Sequence, residues 1–436
     1  AFGNLRLLAG YGAKPIGPGG ISQQVLSGED NWKDLLDPLD IDLRQYIINY
    51  GEMAQATYNN FISDKLSKYA GSTRYAKKNL FAKLGLNPLK YRVTKYLYAT
   101  SSTQVPDAFI LKSLSREAWS KESNWMGYVA ISTDEGKAKL GRRDIVIVWR
   151  GTIQPLEWAN DLQISLVPPS KILGEEDDDP KVHQGFYSIY TSNDPRSALA
   201  NTSARDQVLE EVKRLVEEYK DEEISITIVG HSLGAAIATL NAIDIVANGL
   251  NISRNQQNKA YLGWVLVSQQ AWVLALVACV GLGSSGELGV QQFGSRVPLI
   301  GYKNVGDKLA INTTKSEYLK SPGNFQSWHN LEAYLHGVAG TQGSKGGFKL
   351  EVKRDIALVN KSLDALKDEY LVPASWRVEK NKGMVQQADG SWKLMDHEPD
   401  NQEDEFLSSW KLVDHERNNQ NDDFLIFNVA EKLIKT

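Results

Sequence analysis

The chain has 436 residues, of which 42% are hydrophobic and 23% charged, an ordinary globular composition that excludes collagen, a coiled coil and wholesale disorder. Its 49 Lys and Arg against 53 Asp and Glu give a net charge of −4, so it has no electrostatic footprint for duplex nucleic acid and we expect no nucleic-acid partner. The single cysteine, Cys279, excludes an internal disulfide and a cysteine-based zinc site, and it favours a reducing, cytoplasmic location.

The two ends of the chain differ from its middle. Residues 1–30 are rich in glycine and lack the apolar run of a signal peptide, so we expect a flexible leader. Near the other end Ser391–Leu407 recurs as Ser409–Leu425, offset by 18 residues, with 12 of 17 positions identical. Two short copies cannot build a solenoid, so we interpret residues 391–436 as an acidic tail, either a solvated strand-turn edge or a docking peptide.

Hydrophobic spacing in residues 31–390 predicts one domain of alternating helices and strands. The predicted elements are a helix at 43–61, strands at 92–100, 124–132 and 144–149, an amphipathic helix at 203–220, an alternating strand at 224–229 and an alanine-rich helix at 235–247. At the start of the amphipathic helix, Ser203 and Asp206 approximate a capping pair. This order is typical of an α/β fold with a central, mostly parallel sheet flanked by helices.

The pentapeptide Gly230–Gly234 has the pattern Gly-x-Ser-x-Gly and lies between a predicted strand and a predicted helix. Its glycines let strand and helix approach closely, and the serine is held in a strained turn that exposes its hydroxyl at the carboxyl edge of the sheet. The pattern alone is common by chance, but this context predicts a nucleophile turn. Ser232 is therefore the candidate nucleophile, and we expect His231 to pack inward.

A serine hydroxyl needs a base within hydrogen-bonding reach. Among the histidines that follow Ser232, His329 opens a helical stretch, where a side chain at the end of a loop can reach over the sheet edge. His336 comes about two turns later on the same helix and is the alternative, although we expect it to pack or to cap. We predict that His329 is the base.

The oxyanion of an acyl-transfer intermediate needs two N–H donors. The residue after the nucleophile, Leu233, supplies one candidate. Thr152 supplies the other, because it follows the 144–149 strand through a glycine. Acyl transfer of this kind needs no cofactor and no metal, and the tail histidines His397 and His415 lack metal-ligand spacing.

Nine short motifs spread over residues 30–395 are those of a known enzyme family. They are WKDLLD at 32–37, YGEMA at 50–54, SNWMGY at 123–128, GRRDIVIVWRGT at 141–152, PLEW at 155–158, GHSLG at 230–234, SPGN at 321–324, HNLEAYLHG at 329–337 and VNKSLDALKD at 359–368. With these motifs the chain resembles the plant class II phospholipase A1 enzymes of the class 3 lipase family.

The resemblance implies an α/β-hydrolase fold and a role for three residues. Ser232 matches the nucleophile of the family, His329 its base and Thr152 its oxyanion partner. The implied reaction is hydrolysis of the sn-1 acyl ester of membrane glycerophospholipids, with transient contact to the membrane surface and without a metal.

Residues 252–300 depart from the family pattern. Residues 260–286 carry no charge and we interpret them as an apolar insert, while FGSR at 293–296 begins a family motif that VPLIGY at 297–302 does not continue. The loop that should bear the triad acid is missing from this order. Asp307 and Glu287 are weak candidates for the acid, and the assignment stays open.

Three hypotheses follow from this departure. The first is a working acyl-ester hydrolase, and the second is a catalytically impaired protein of the same fold that binds lipid or a partner. An enzyme whose triad histidine is not oriented loses on the order of 10⁴ in turnover. The third is a membrane protein anchored by residues 260–286, whose length allows a transmembrane helix.

Overall fold

The computed structural model describes most of the chain. The described residues are 21, 23–26, 32–67, 69–88, 90–114, 123–152, 165–174, 181–251, 262–268, 279–282, 288–293, 308–309, 311–321, 323–324, 327, 329–343, 346–377, 383–386 and 392–395. Most of the predicted leader and most of the acidic tail lie outside them, as do Asp307 and Glu287.

Each predicted helix and strand is present among the described elements. The α-helices are α1 Gln23–Leu26, α2 Ile41–Asn60, α3 Leu80–Lys83, α4 Asp134–Leu140, α5 Ser170–Leu173, α6 Gln184–Thr191, α7 Ala204–Glu218, α8 Leu233–Ala247 and α9 Leu331–Gly340. Short 3₁₀ helices cover Lys77–Asn79, Thr313–Lys315, Ile356–Asn360 and Asp368–Tyr370. The strands are β1 Tyr91–Ala99, β2 Asn124–Ser132, β3 Arg143–Trp149, β4 Leu166–Val167, β5 Val182–His183, β6 Ile224–His231, β7 Leu262–Ser268, β8 Cys279–Leu282, β9 Leu288–Phe293, β10 Lys308–Leu309, β11 Gly383–Gln386 and β12 Trp392–Met395.

The central sheet has eight described strands, in the order β1-β2-β3-β6-β7-β9-β10, with β8 paired to β9. The β1–β2, β2–β3 and β8–β9 pairs are antiparallel, and the other pairs are parallel. Helices α2, α7 and α8 contact the sheet. The predicted fold class, an α/β-hydrolase with a mostly parallel sheet flanked by helices, is confirmed.

Strands β3 and β6 form the buried centre of the sheet. Every residue of both strands is buried. The hydroxyls of Ser225 and Thr227 in β6 donate to Asp144 in β3 at 2.7 and 2.8 Å, and those of Tyr50 and Tyr91 donate to the same carboxylate at 2.7 and 2.8 Å. A buried carboxylate is tolerated when its oxygens are hydrogen-bonded, so the polar positions of β6 can be buried as well.

Helix α7 follows the predicted pattern closely. It begins after Ser203, whose hydroxyl oxygen accepts from the backbone N–H of Asp206 at 3.1 Å and donates to the Asp206 carboxylate at 2.7 Å. Such a cap satisfies a backbone donor that would otherwise be unpaired at the helix start. The predicted capping pair is thus present, and the apolar face that includes Val208, Val212 and Leu215 is buried.

The apolar stretch 260–286 contributes strands to the described structure. Strand β7 lies parallel to β6, with Leu262 opposite Ser225 and Ser268 opposite His231, and β8 pairs with β9. Among the described residues, no helix combines the length and the hydropathy that crossing a bilayer requires. The boundaries of the predicted domain, insert and tail stay predictions.

Candidate active site

The turn between β6 and α8 presents Ser232. This residue has φ 59° and ψ −125°, a left-handed conformation that is rare for a residue with a side chain. Strain of this kind persists only where the surrounding structure over-determines it, and it is the geometry of a nucleophile turn. The predicted strand ends two residues later than expected, at His231, so it runs directly into the turn.

Two glycines make this turn possible. A Cβ on Gly230 would lie 2.2 Å from the carbonyl oxygen of Gly234, and a Cβ on Gly234 would lie 2.3 Å from the carbonyl oxygen of Trp149. Both contacts are with backbone atoms and are closer than any side chain tolerates. The first turn of α8 is therefore packed against the end of β3, as the Gly-x-Ser-x-Gly pattern predicts.

The side chains of Ser232 and His329 meet at this edge of the sheet. The distance between Ser232 Oγ and His329 Nε2 is 2.9 Å, across a separation of 97 residues in the sequence. Both residues are buried, with 1% and 2% of their surface exposed. His329 lies just before α9, where the side chain of Asn330 caps the helix by accepting from the N–H of Glu332. The structure thus brings together the predicted nucleophile and the predicted base.

The alternative base, His336, lies in another environment. Its Nε2 is 2.7 Å from Ser316 Oγ, and its ring packs against those of Phe348 and Tyr318. Burial, and next the charge of Arg354, lower the pKa of His336 to about 3. The structure places it as a neutral, packed residue within α9, in keeping with the expectation that it packs.

The loop after β3 carries the second predicted oxyanion residue. Gly151 lies beside the nucleophile turn, because a Cβ on it would be 2.4 Å from the carbonyl oxygen of His231. The next residue, Thr152, is 3% exposed, and its hydroxyl finds no hydrogen-bond partner within the described part of the chain. Leu233 is buried at the start of α8. Both predicted donors therefore belong to segments that flank Ser232.

A buried arginine, Arg150, holds this loop in place. No sequence pattern indicated that role. Arg150 donates to the carbonyl oxygens of Trp125, Gly151 and Phe109 at 3.0, 2.7 and 3.2 Å, and its guanidinium lies 4.0 Å from the ring centroid of Phe61. Burial lowers its pKa to about 10, which still leaves it charged at neutral pH. No local pattern reports such a role, because all its partners except Gly151 are distant in sequence.

The predicted inward packing of His231 is also seen. His231 is 5% exposed, and its ring lies between Tyr58, Tyr334 and His329. Its Nδ1 is 2.6 Å from the hydroxyl of Tyr58 in α2. Tyr58 is a second residue that the sequence did not single out, since its partner His231 is 173 residues away along the chain.

Within the described residues, no group of three or more His, Cys, Asp or Glu side chains has the arrangement of a metal site. The two candidates for the triad acid, Asp307 and Glu287, lie outside that part of the chain, so the structure leaves the acid unassigned.

Comparison with known proteins identifies the family. Residues 146–261 match the family described as Lipase (class 3). Phospholipase A1-IIgamma of Arabidopsis thaliana is 54% identical over 391 residues, which cover 87% of this chain and 93% of that protein. The chain belongs to the plant class II phospholipase A1 family. It is therefore a carboxylic ester hydrolase of the class 3 lipase group.

Other members of this family match nearly as well. Phospholipase A1-II 1 of Oryza sativa subsp. indica is 52% identical over 378 residues, which cover 86% of this chain and 96% of that protein. Among solved structures, the nonglycosylated LIP2 lipase of Yarrowia lipolytica is 16% identical, covers 63% of this chain and 82% of its own, and has a TM-score of 0.37. At that TM-score the likeness adds nothing to the family assignment.

Proposed function

We propose that this plant class II phospholipase A1 family member hydrolyses the sn-1 acyl ester of membrane glycerophospholipids, with Ser232 as the nucleophile and His329 as the base. The observation that carries the proposal is the 2.9 Å contact between Ser232 Oγ and His329 Nε2 at a strained strand-to-helix turn. The names of the relatives, which are phospholipases A1, support the substrate class.

The first half of the reaction forms an acyl-enzyme. Ser232 Oγ attacks the ester carbonyl carbon as His329 Nε2 takes the hydroxyl proton. The carbonyl oxygen becomes negatively charged, and the N–H groups of Leu233 and Thr152 stabilise it. When the intermediate collapses, the bond between the acyl carbon and the glycerol oxygen breaks, and His329 returns its proton to that oxygen. The lysophospholipid leaves.

The second half repeats these steps with water. His329 takes a proton from a water molecule as the water oxygen attacks the acyl carbon of the ester on Ser232. Collapse of this second intermediate breaks the bond to Ser232 Oγ, which recovers its proton from His329. The fatty acid leaves and the free enzyme is restored. Each oxyanion donor is worth about 3–4 kcal/mol of transition-state stabilisation in enzymes of this type.

Replacement of Ser232 by alanine tests the assignment. We expect Ser232→Ala to abolish acyl release from a phospholipid while the protein remains folded by circular dichroism. A fluorophosphonate probe provides a second readout, because it labels a serine only when a working base activates it. Labelling of the wild type and not of Ser232→Ala would also exclude the alternative of a catalytically impaired binding protein.

Transient contact with the membrane surface is part of the proposal. Leu66 and Leu114 are 75% and 69% exposed, and the N–H of Leu114 donates to the carbonyl of Lys65 at 2.9 Å, so the two leucines lie on adjoining loops. Leu111, three residues before Leu114, exchanges two hydrogen bonds with Asn124 at the start of β2. Since β2 runs antiparallel to β3, its start lies at the edge of the sheet where β3 and β6 end.

This contact has its own test. We expect the double variant Leu66→Ser, Leu114→Ser to sediment less with phosphatidylcholine vesicles and to hydrolyse vesicle phospholipid more slowly, because exposed apolar side chains favour transfer into a lipid interface. Hydrolysis of a soluble short-chain ester should not change. Leu371→Ser, at a leucine that is 88% exposed on another loop, is the matched control. Equal vesicle binding by wild type and double variant would contradict this contact.

We also propose a cytoplasmic location, which the use of a single cysteine supports. Imaging of a fluorescent fusion of the full-length protein in plant cells tests it, and fluorescence confined to a secretory compartment would contradict it. The absence of a nucleic-acid partner stays a prediction from the net charge.

A further inference from the structure

The hydroxyl of Tyr58, in α2, lies where two segments of the active site meet. It is 2.6 Å from Nδ1 of His231 and 3.4 Å from the carbonyl oxygen of the same residue. A Cβ on Gly151 would come within 1.9 Å of this hydroxyl, so the loop after β3 that carries Gly151 and Thr152, called the oxyanion loop below, runs directly beside it. One side chain of α2 thus contacts both the end of β6 and the loop that follows β3.

The ring of His231 also lies next to the proposed base, His329. Its centroid is 5.0 Å from that of His329, with 45° between the ring planes, and it also interacts with the backbone of His329. The ring also meets that of Tyr58 edge-on, with 5.7 Å between the centroids. His231 is therefore packed between a tyrosine that it hydrogen-bonds and the histidine that contacts Ser232.

His231 and Tyr58 are both uncharged at physiological pH, which suits a stable hydrogen bond between them. Burial, and next the neighbouring His329, lower the pKa of His231 well below its usual value, so its ring is neutral at physiological pH. Burial raises the pKa of Tyr58, which therefore keeps its proton. A neutral imidazole has one acceptor nitrogen, and the phenol can donate to Nδ1. The hydroxyl can also accept from Nδ1, and in either case the hydrogen bond fixes the orientation of the His231 ring.

We propose that Tyr58 and His231 are positioning residues for acyl transfer. The Tyr58 hydroxyl fixes the His231 ring, and that ring holds His329 in the orientation in which its Nε2 meets Ser232. The proposal rests on the proposed function, since it takes His329 as the base. The exact position of His329 matters for the rate, because displacement of a catalytic group by about 1 Å can lower a rate by about 100-fold.

The test compares variants of the full-length protein with a soluble ester as substrate. We expect Tyr58→Phe to lower kcat about tenfold while KM changes less than about twofold, as for loss of an interaction that serves the transition state. The acid limb of the kcat/KM profile, which reports the base of the free enzyme, should shift. His231→Leu should lower kcat as well, and the double variant should be no slower than His231→Leu alone, because the two residues act as one unit.

Tyr128→Phe is the matched control. The hydroxyl of Tyr128 is buried and donates to the carbonyl of Met53 in α2 at 2.9 Å, so this variant also removes a tyrosine hydroxyl that holds the same helix, but away from His329. We expect it to leave kcat and the pH profile unchanged. An equal loss of kcat in Tyr128→Phe and Tyr58→Phe would overturn the proposal, because it would mean that anchoring of α2 alone matters.

Two further outcomes separate this proposal from the proposed function. Wild-type kcat and pH profile in Tyr58→Phe, beside an inactive Ser232→Ala, would overturn the positioning role alone. Full activity of Ser232→Ala would overturn the proposed function, and with it the role of His329 on which the positioning role depends.

Discussion

The guanidinium of Arg150 donates a hydrogen bond to the carbonyl oxygen of the next residue, Gly151, at 2.7 Å. This contact turns the side chain back onto its own backbone at the point where β3 ends and the oxyanion loop begins. The other donors of the guanidinium reach Trp125 and Phe109, so one buried cation ties three segments together. The buried charge is satisfied by carbonyl dipoles and by the face of Phe61.

Replacement of Arg150 by lysine should therefore affect the oxyanion loop. Lysine keeps the charge but cannot donate to three carbonyls in a planar fork. We expect kcat on a soluble ester to fall about 10- to 100-fold with little change in KM, as for loss of transition-state stabilisation. Steady-state kinetics measures this.

Arg142→Lys is the control for Arg150→Lys. Arg142 is equally buried, but it donates to Ser225 and Tyr46 at the opposite end of β3 and β6. We expect it to lower the melting temperature without lowering kcat per folded molecule. Equal kcat losses in both variants would mean that Arg150 acts only through stability.

Substitution of Gly234 tests the packing of the nucleophile turn. A Cβ there would lie 2.3 Å from the Trp149 carbonyl oxygen, which cannot move without breaking β3. We expect Gly234→Ala to destabilise the protein by about 3 kcal/mol or more and to abolish activity. Gly347→Ala is the control, since a Cβ on Gly347 would meet no atom within 4 Å. A melting temperature and kcat for Gly234→Ala equal to those of Gly347→Ala would contradict the packing described for the turn.

The hydroxyl of Thr152 offers a way to separate stability from catalysis. Because it is buried without a hydrogen-bond partner among the described residues, Thr152→Val should not lower the melting temperature. If that hydroxyl assists the N–H groups at the oxyanion, kcat should fall about 100-fold in Thr152→Val and much less in Thr152→Ser. Kinetics and thermal unfolding of the two variants check this. Equal kcat values in the wild type, Thr152→Val and Thr152→Ser would restrict the role of Thr152 to its backbone N–H.

His336 predicts a pH dependence of stability. Its pKa is lowered in the folded protein to about 3, from an ordinary value of about 6.5. The unfolded chain therefore binds more protons than the folded one between these values, and the free energy of unfolding falls as the pH drops from about 6.5 towards about 3. For this one group the slope approaches about 1.4 kcal/mol per pH unit.

The variant His336→Gln isolates this effect. Glutamine cannot titrate, but its amide can still reach Ser316, the partner of His336 Nε2. We expect urea unfolding at pH 7 to change little and the decline of stability between pH 6 and pH 4 to become shallower in the variant. Parallel declines in the two proteins would show that His336 does not contribute to the pH dependence.

Local sequence patterns predicted the parts of this protein that neighbouring residues determine. The alternating residues of β6, the small residues of α8 and the two glycines around Ser232 predicted a strand, a helix and a tight turn, and the structure has all three. The Ser203 cap of α7 was predicted for the same reason. In each case the hydrogen bonds and steric limits act within a few residues.

The choice between His329 and His336 depended on more than spacing. The two histidines are seven residues apart at the start and within α9. Which one reaches Ser232 depends on where α9 begins relative to the edge of the sheet, and that is a property of packing. The sequence favoured His329 because it opens the helix, and only the coordinates place its Nε2 2.9 Å from the serine.

Tyr58 and Arg150 could not be recognised in the sequence. Tyr58 meets His231 across 173 residues, and Arg150 reaches Phe109 across 41. Hydrogen bonds of this kind produce no periodic pattern in the sequence, because their partners are brought together only when the sheet and α2 pack. The sequence alone determined the fold class and the nucleophile turn, since these rest on short-range patterns, and it determined the family through motifs spread over residues 30–395. The tertiary structure alone decided which distant side chains surround that turn, since the turn is buried by segments that are remote from it along the chain.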